Sequence, residues 1–306
     1  MGANDRDGVM HTQYKRLSAA VVLFLVAAML FAGLLVSAPR AAATHDTVMW
    51  SRPFWAATTG DDEFYSSVLA DGNGTFYVFY LRTDSFSGLT DVYESKWTTR
   101  GPSGVPEGIL YDVLVNVNNV GEVATNTPFF GLPTTPTAAI DHSGNLFVVW
   151  TSNAYDVYVS KSTDGGVTWL PAVKANSATV TAYDFAPSIA ITGTGASEKI
   201  WVSWSQLWFT GFALYNNATV SHSDNLGSTF IGYTNASGQP GASTYIAGTD
   251  IAADSLGRLY LTYTAIDFSV FTVYANYTWS DTGATWAAQT TLNSPCGGFF
   301  QVVAVD

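Results

Sequence analysis

The chain has 306 residues, of which 47% are hydrophobic, 14% aromatic and only 12% charged, a balance too apolar and aromatic for a disordered polymer. Twelve Lys and Arg face 24 Asp and Glu, a net charge of −12, so the basic patch that phosphate backbones require is missing and no nucleic-acid partner is expected. One cysteine, Cys296, four scattered histidines and no Walker A, dinucleotide or H-E-x-x-H fingerprint leave no metal, cofactor or thiol chemistry to expect.

At the N-terminus, Lys15 and Arg16 precede an apolar run from Leu17 to Val36, broken only by Ser18 and Gly33. Ser37–Ala43 reads SAPRAAA and ends in the small residues that a signal peptidase accepts. Residues 1–43 are expected to form one hydrophobic helix, a secretory signal cleaved after Ala43. The alternative is an uncleaved membrane anchor through residues 17–36, which are numerous enough to span a bilayer. Either way the positive flank comes first, so residues 44–306 are expected outside the cytoplasm, secreted or held at the outer face of the membrane.

The remainder repeats itself. Ser67–Asp71 leads through Gly72, Asn73 and Gly74 into Thr75–Tyr80, and Ala138–Asp141 leads through His142, Ser143 and Gly144 into Leu146–Trp150. Pro187–Ile191 leads through a longer turn into Ile200–Trp204, and Ile251–Asp254 leads through Ser255, Leu256 and Gly257 into Leu259–Tyr263. Each pair reads as a short apolar strand, a glycine-bearing turn and an aromatic, β-branched strand, which is a β-hairpin.

A second motif follows three of these hairpins. Ser162, Asp164, Gly166, Thr168 and Trp169 fit S-x-D-x-G-x-T-W in full. Ser223, Asn225, Gly227, Thr229 and Phe230 fit it with Asn for Asp and Phe for Trp, while Asp281, Gly283, Thr285 and Trp286 fit it without the leading Ser. A short carboxylate or amide accepts backbone N–H groups across a tight turn, the glycine permits a positive φ, and the aromatic buries a large area between strands. The pattern resembles the Asp box, or bacterial neuraminidase repeat, and on these residues the chain is similar to the sialidase-like β-propellers.

The unit is strand, strand, strand, box turn, strand. Its marker aromatic recurs at Tyr80, Trp150, Trp204 and Tyr263, steps of roughly 50–70 residues that suit propeller blades with loop insertions. The expected fold is all-β: a propeller of four-stranded blades in residues 44–306. The first blade lacks its box, with Thr99 and Gly101 at the equivalent places, and Pro106–Pro136 reads as the longest insertion. Trp50–Ala56 resembles a strand that follows a box, and Val302–Asp306 resembles the first strand of another unit. These ends imply four blades plus the start of a fifth, a fragment of a six- or seven-bladed ring; the alternative is a closed four-bladed ring.

In the sialidase-like superfamily the boxes are structural and lie at the outer edge. The resemblance implies that sialidase activity would need three arginines clamping a carboxylate, an aspartic acid/base, and a tyrosine nucleophile partnered by glutamate. Beyond the leader the arginines are Arg52, Arg82, Arg100 and Arg258. Only Arg82, expected just after the second strand of the first blade, is placed near a ring face. Arg52 and Arg100 fall at the rim and Arg258 in a hairpin turn. No catalytic residue can be assigned from this set. The expected function is therefore a non-catalytic, exported propeller that binds a glycan or an extracellular protein; the alternative is a sialidase-like glycoside hydrolase with part of its site beyond residue 306. Arg82 is one candidate ligand contact. Trp208, Phe209 and Phe212, expected in a loop between strands two and three, form the other. Asn73, Asn217, Asn235 and Asn276 head N-x-Ser/Thr sequons, as an exported glycoprotein would carry.

Overall fold

The computed structural model describes residues 61–98, 107–117, 123–125, 134–176, 182–210, 213–238, 244–270 and 272–292. All lie in the compact unit Ser51–Asp306. The leader, the strands expected at 50–56 and 302–306, and Arg52, Arg100, Phe212 and Cys296 fall outside the described residues.

Among the described residues, sixteen strands form four antiparallel four-stranded sheets in chain order, each a simple meander. Sheet 1 holds β1 (Asp62–Ala70), β2 (Thr75–Thr83), β3 (Thr90–Thr98) and β4 (Glu107–Leu114). Sheet 2 holds β5 (Thr137–Ile140), β6 (Leu146–Thr151), β7 (Val157–Ser162) and β8 (Val173–Lys174). Sheet 3 holds β9 (Tyr183–Thr192), β10 (Lys199–Thr210), β11 (Ala213–Ser223) and β12 (Ile231–Asn235). Sheet 4 holds β13 (Thr244–Ala253), β14 (Leu259–Asp267), β15 (Thr272–Ser280) and β16 (Thr290–Thr291). This is the arrangement of propeller blades. Among the described residues no helix is long and apolar enough to cross a membrane.

The core lies between successive sheets. Tyr77, Phe79 and Leu81 of β2 meet Leu146, Val148 and Trp150 of β6. The other face of β6, Phe147 and Val149, meets Ile200, Val202 and Trp204 of β10. Trp201 then meets Leu259, Leu261 and Tyr263 of β14. Because side chains alternate across a strand, a sheet covered on both sides needs apolar residues at odd and even positions alike. Accordingly all six residues of β6 are buried.

Local turns repeat with the sheets. In the β1–β2, β5–β6 and β13–β14 hairpins, an aspartate accepts from the second and fourth following N–H groups. These are Asp71 Oδ1 from Asn73 and Thr75 (2.7 and 3.0 Å), Asp141 Oδ1 from Ser143 and Asn145 (2.9 and 2.8 Å), and Asp254 Oδ1 from Leu256 and Arg258 (3.0 and 2.9 Å). At the opposite end, Val92 N donates to Asn116 Oδ1 (3.0 Å), Val157 N to Asn176 Oδ1 (3.1 Å) and Ala218 N to Ser237 Oγ (3.0 Å). In sheets 1 to 3 these side chains fasten the third strand, near its start in β3 and β7 and midway along β11, to the chain leaving the fourth.

The first two box turns share one geometry. Ser162 Oγ accepts from Gly166 N (2.9 Å) while Asp164 accepts from Thr168 N (2.9 Å) and Thr168 Oγ1 (2.6 Å). The Thr168 bonds, led by its hydroxyl, hold the Asp164 carboxyl down to about 2. Ser223 accepts from Gly227 N (2.8 Å) and Asn225 from Thr229 N (2.9 Å) in the same way. The third turn corrects the sequence alignment. Ser280, opposite Leu259 in the ladder as Ser162 is opposite Leu146, accepts from Gly283 N (2.8 Å), so a serine does lead this turn, one residue closer to its glycine than in the first two. The Asp281 carboxylate is turned to other use and accepts from Arg258 Nε (2.7 Å).

Two further expectations are corrected. Glu107–Leu114 is β4, so the first sheet keeps its fourth strand and Pro106–Pro136 is not wholly an insertion. Trp208 and Phe209 lie within β10, which pairs with β11 out to Thr210–Ala213, rather than in a loop.

Each box glycine touches the preceding sheet. A Cβ at Gly166 would come within 2.1 Å of Glu94 Oε1, and one at Gly283 within 2.1 Å of the Trp201 ring. Glu94 is fully buried between sheets 1 and 2, where its Oε2 accepts from Trp169 Nε1 (2.9 Å). Burial pushes its carboxyl up to about 8 against the pull of that bond.

Gly283→Ala, at φ +71° and against Trp201, is expected to destabilise the fold by about 1–3 kcal/mol, read as a lowered urea midpoint. For Glu94 the folded carboxyl binds its proton more tightly than the unfolded one, whose ordinary value is 4.5. Its contribution is therefore fully present below about 4.5 and is lost as pH rises through about 8. Glu94→Gln is expected to flatten the fall of Tm across that window; an unchanged slope would refute the assignment.

Candidate functional site

The antiparallel meander places the hairpin and box turns at one end of the sheets. The β2–β3 type connections, and the chain passing from sheet to sheet, lie at the other end. An open cleft of about 500 Å³ occupies this second end at sheets 1 and 2, lined by Phe64, Tyr65, Thr83, Gly88, Thr90, Val123, Thr125 and Asn153.

Its walls are set by local chain geometry. Tyr65 has φ 51° where the β1–β2 register slips between Phe64 and Ser67, a backbone conformation that costs a non-glycine residue about 1–2 kcal/mol. It is 36% exposed and meets Phe64 edge-on at 5.0 Å. Thr83 and Thr90 bridge the ends of β2 and β3 through their hydroxyls (2.7 Å). The turn between them is held by Asp84 Oδ1, which accepts from Phe86 N (3.0 Å) and Ser87 N (2.6 Å), bonds that pull its carboxyl below the usual range. Residues 123–125 stitch the two sheets: Val123 N donates to Thr90 O (3.1 Å) and Ala124 N to Thr151 O (2.9 Å). Among the described residues no lining side chain is charged. Hydroxyls, an amide and an aromatic face are the groups that recognise a neutral polyhydroxylated ligand.

Beside the cleft, charge is already spoken for. Arg82 lies within β2, not after it, and shares the face of Tyr80 away from sheet 2. Its guanidinium stacks 3.5 Å over the Tyr93 ring, with Asp61 at 3.7 Å and Asp112 at 3.4 Å, and its side chain is 14% exposed. Tyr80 donates to the same Asp112 oxygen (2.5 Å), and burial first, then this bond, pushes its hydroxyl up. Arg258, 42% exposed at the other end, pairs with Asp281 and lies 4.5 Å over Trp279. Both described arginines are thus neutralised by carboxylates, and the structure brings them to opposite ends.

The second candidate contact stands at the cleft's end of sheet 3. Trp208 stacks on Tyr215 (5.6 Å, 14°), and Phe209 is 49% exposed. Tyr155 and Tyr183 meet edge-on at 5.2 Å. The cleft and this hairpin share no lining residue.

Sequence reasoning missed two acids. Asp184, buried between sheets 2 and 3, accepts from Asn176 Nδ2 (2.5 Å), Trp204 Nε1 (2.9 Å) and Gln206 Nε2 (3.1 Å), and burial still pushes it up to about 6. Asn176 also donates to Asp156 (3.0 Å), which pairs with Lys174 (2.7 Å). The other is Glu94, at the ladder position where Val159 stands in the next sheet; that break in an apolar series was the available signal. Among the described residues no group of three or more His, Cys, Asp or Glu could hold a metal ion.

No family model and no curated protein matches the chain. Solved structures do. A protein of unknown function from Dyadobacter fermentans aligns with a TM-score of 0.53 at 13% identity, over 78% of this chain and 71% of its own. A Hadza microbial sialidase aligns at 0.45 and 18% identity, over 69% of this chain and 47% of its own, so the chain spans about half the length of that enzyme. An α-L-arabinofuranosidase from Fusarium graminearum aligns at 0.49 and 11% identity, over 78% of this chain and 69% of its own. At these identities the likeness concerns the fold.

Proposed function

We propose that the chain is an exported, Asp-box β-propeller module that binds a neutral glycan without hydrolysing it, at the cleft of Tyr65 and Asn153. The observation that carries this reading is a cleft whose described lining offers hydroxyls and an amide and no charge, next to an arginine engaged by Asp61, Asp112 and Tyr93. A sialic-acid carboxylate needs an unpaired guanidinium to form its bidentate pair. Freeing Arg82 would leave Asp61 and Asp112 without their counter-charge.

The turns at Ser162–Trp169 and Ser223–Phe230 serve here as Asp boxes, holding sheet edges rather than ligand. Residues 1–43 act as the leader that carries the propeller across the membrane.

Tyr65→Ala and Asn153→Ala are each expected to weaken binding to immobilised neutral oligosaccharides about 5–30-fold, the loss of roughly 1–2 kcal/mol of contact, with unchanged Tm. Binding unaffected by both would overturn the cleft assignment. The hydrolase alternative makes the opposite forecast: release of dye from a fluorogenic sialoside, abolished by Arg82→Ala. On the export reading, the mature protein begins at Thr44 by mass spectrometry; a retained leader would contradict cleavage.

A further inference from the structure

We propose that Asn73 is an N-glycosylation site, and that it is the one acceptor among the four sequons that the folded sheets can carry. The inference rests on the export reading for its compartment and on the fold for its choice of residue.

The four asparagines occupy very different surroundings. Asn276 is 4% exposed in the middle of β15, and its partner Thr278 is fully buried, so a sugar there would have to occupy the inter-sheet layer. Asn217 lies within β11 opposite Gln206, half-buried on the side of the sheet that carries Asp184. Asn235 spends its amide on the turn after β12: Oδ1 accepts from Ser237 N and Oγ (both 3.0 Å), and Nδ2 donates to Gly238 O. Substitution at Nδ2 would break that turn.

Asn73 alone is exposed at the tip of a hairpin. Only its backbone N–H is engaged, by Asp71 Oδ1 (2.7 Å), and among the described residues its side-chain amide meets no hydrogen-bond partner. The turn is held by Asp71 and by Gly72 and Gly74 at φ 73° and 88°, so it needs nothing from the Asn73 side chain. The tip also lies at the end of sheet 1 opposite the Tyr65 cleft, and a glycan there leaves the cleft open.

In the transfer, Asn73 Nδ2 forms a bond to the anomeric carbon of an oligosaccharide carried on a polyprenyl diphosphate. The bond from that carbon to the diphosphate oxygen breaks, the bonding pair leaves with the lipid diphosphate, and the Nδ2 proton passes to a carboxylate of the transferase.

The test is translation of the full chain, preceded by an added cleavable signal peptide, in the presence of glycosylation-competent microsomes, with protease protection to confirm lumenal residence. Site occupancy is read on the protease-resistant folded fraction by amidase release and peptide mass. A glycan at Asn73, lost in Asn73→Gln with unchanged protease resistance, is the expected result. The double substitution Ser143→Asn with Asn145→Thr copies the Asn73–Thr75 sequon onto the matching Asp141 turn and should gain a second glycan. Lumenal folded chain without sugar at Asn73, or with sugar at Asn217, Asn235 or Asn276, would overturn the proposal. Because the added signal supplies entry, failure of the chain's own leader to export it shows separately, in the same assay without that signal.

Discussion

The constraint on which the structure turns is that its middle strands have no outside. β6 and β10 are covered on both faces by neighbouring sheets, so burial of apolar surface acts twice on one strand, at about 25 cal/mol per Å² on each side. A single sheet of this composition would expose a greasy face; stacked in chain order, each sheet supplies the cover for the next. The turns inherit the constraint. A box turn that closes its own sheet must also lie flat on the previous one, which is why Gly166 and Gly283 have no room for a Cβ. Local stapling and inter-sheet docking are carried out by the same few residues.

The same layers also hold polar groups. Trp169 brings an indole N–H into the first layer, and Glu94 stands there to accept it; Trp204 brings another, and Asp184 accepts that. Phe230, in the box of sheet 3, has no N–H, and the side chains it packs among are apolar, Val159 included. At the Trp169 and Trp204 indoles the acceptor is a carboxylate, whereas Trp201 Nε1 donates to Thr192 Oγ1 (2.8 Å) and Trp286 Nε1 to Gly283 O (3.2 Å). Desolvation raises both acids, and each is held by an indole N–H in the layer between two sheets. The arginines tell a matching story at the surface, where Asp61, Asp112 and Asp281 occupy them.

What could be read from the sequence was what repeats locally. Four hairpins and two of the box turns stood out because turn chemistry is set by residues three or four apart. The serine of the third turn is not visible in the motif because it stands one residue closer to its glycine: only the ladder position of Ser280 opposite Leu259 shows which residue seats the turn. β4 was hidden because sheet 1 has no box to announce it, and the Asn116 and Asn176 fasteners because their partners are some twenty residues upstream. The cleft was illegible for the same reason in stronger form. Phe64, Thr90, Val123 and Asn153 come together only once two sheets are stacked.

The two ends of the sheets consequently answer to different rules. At the hairpin and box end, carboxylates and hydroxyls are consumed by backbone N–H groups, and the spacing is fixed to within a residue, as the shortened third turn shows. At the other end the strands differ in length, β6 stopping at Thr151 while β10 runs on to Thr210, and the connections after β2 and β6 carry Phe86 and Tyr155 with no shared pattern. A turn that must dock on its neighbour cannot vary without loss of the stack, whereas a connection that overhangs the stack can. On the proposed reading, binding specificity belongs at the overhanging end, where Tyr65 holds a strained backbone inside an otherwise regular strand.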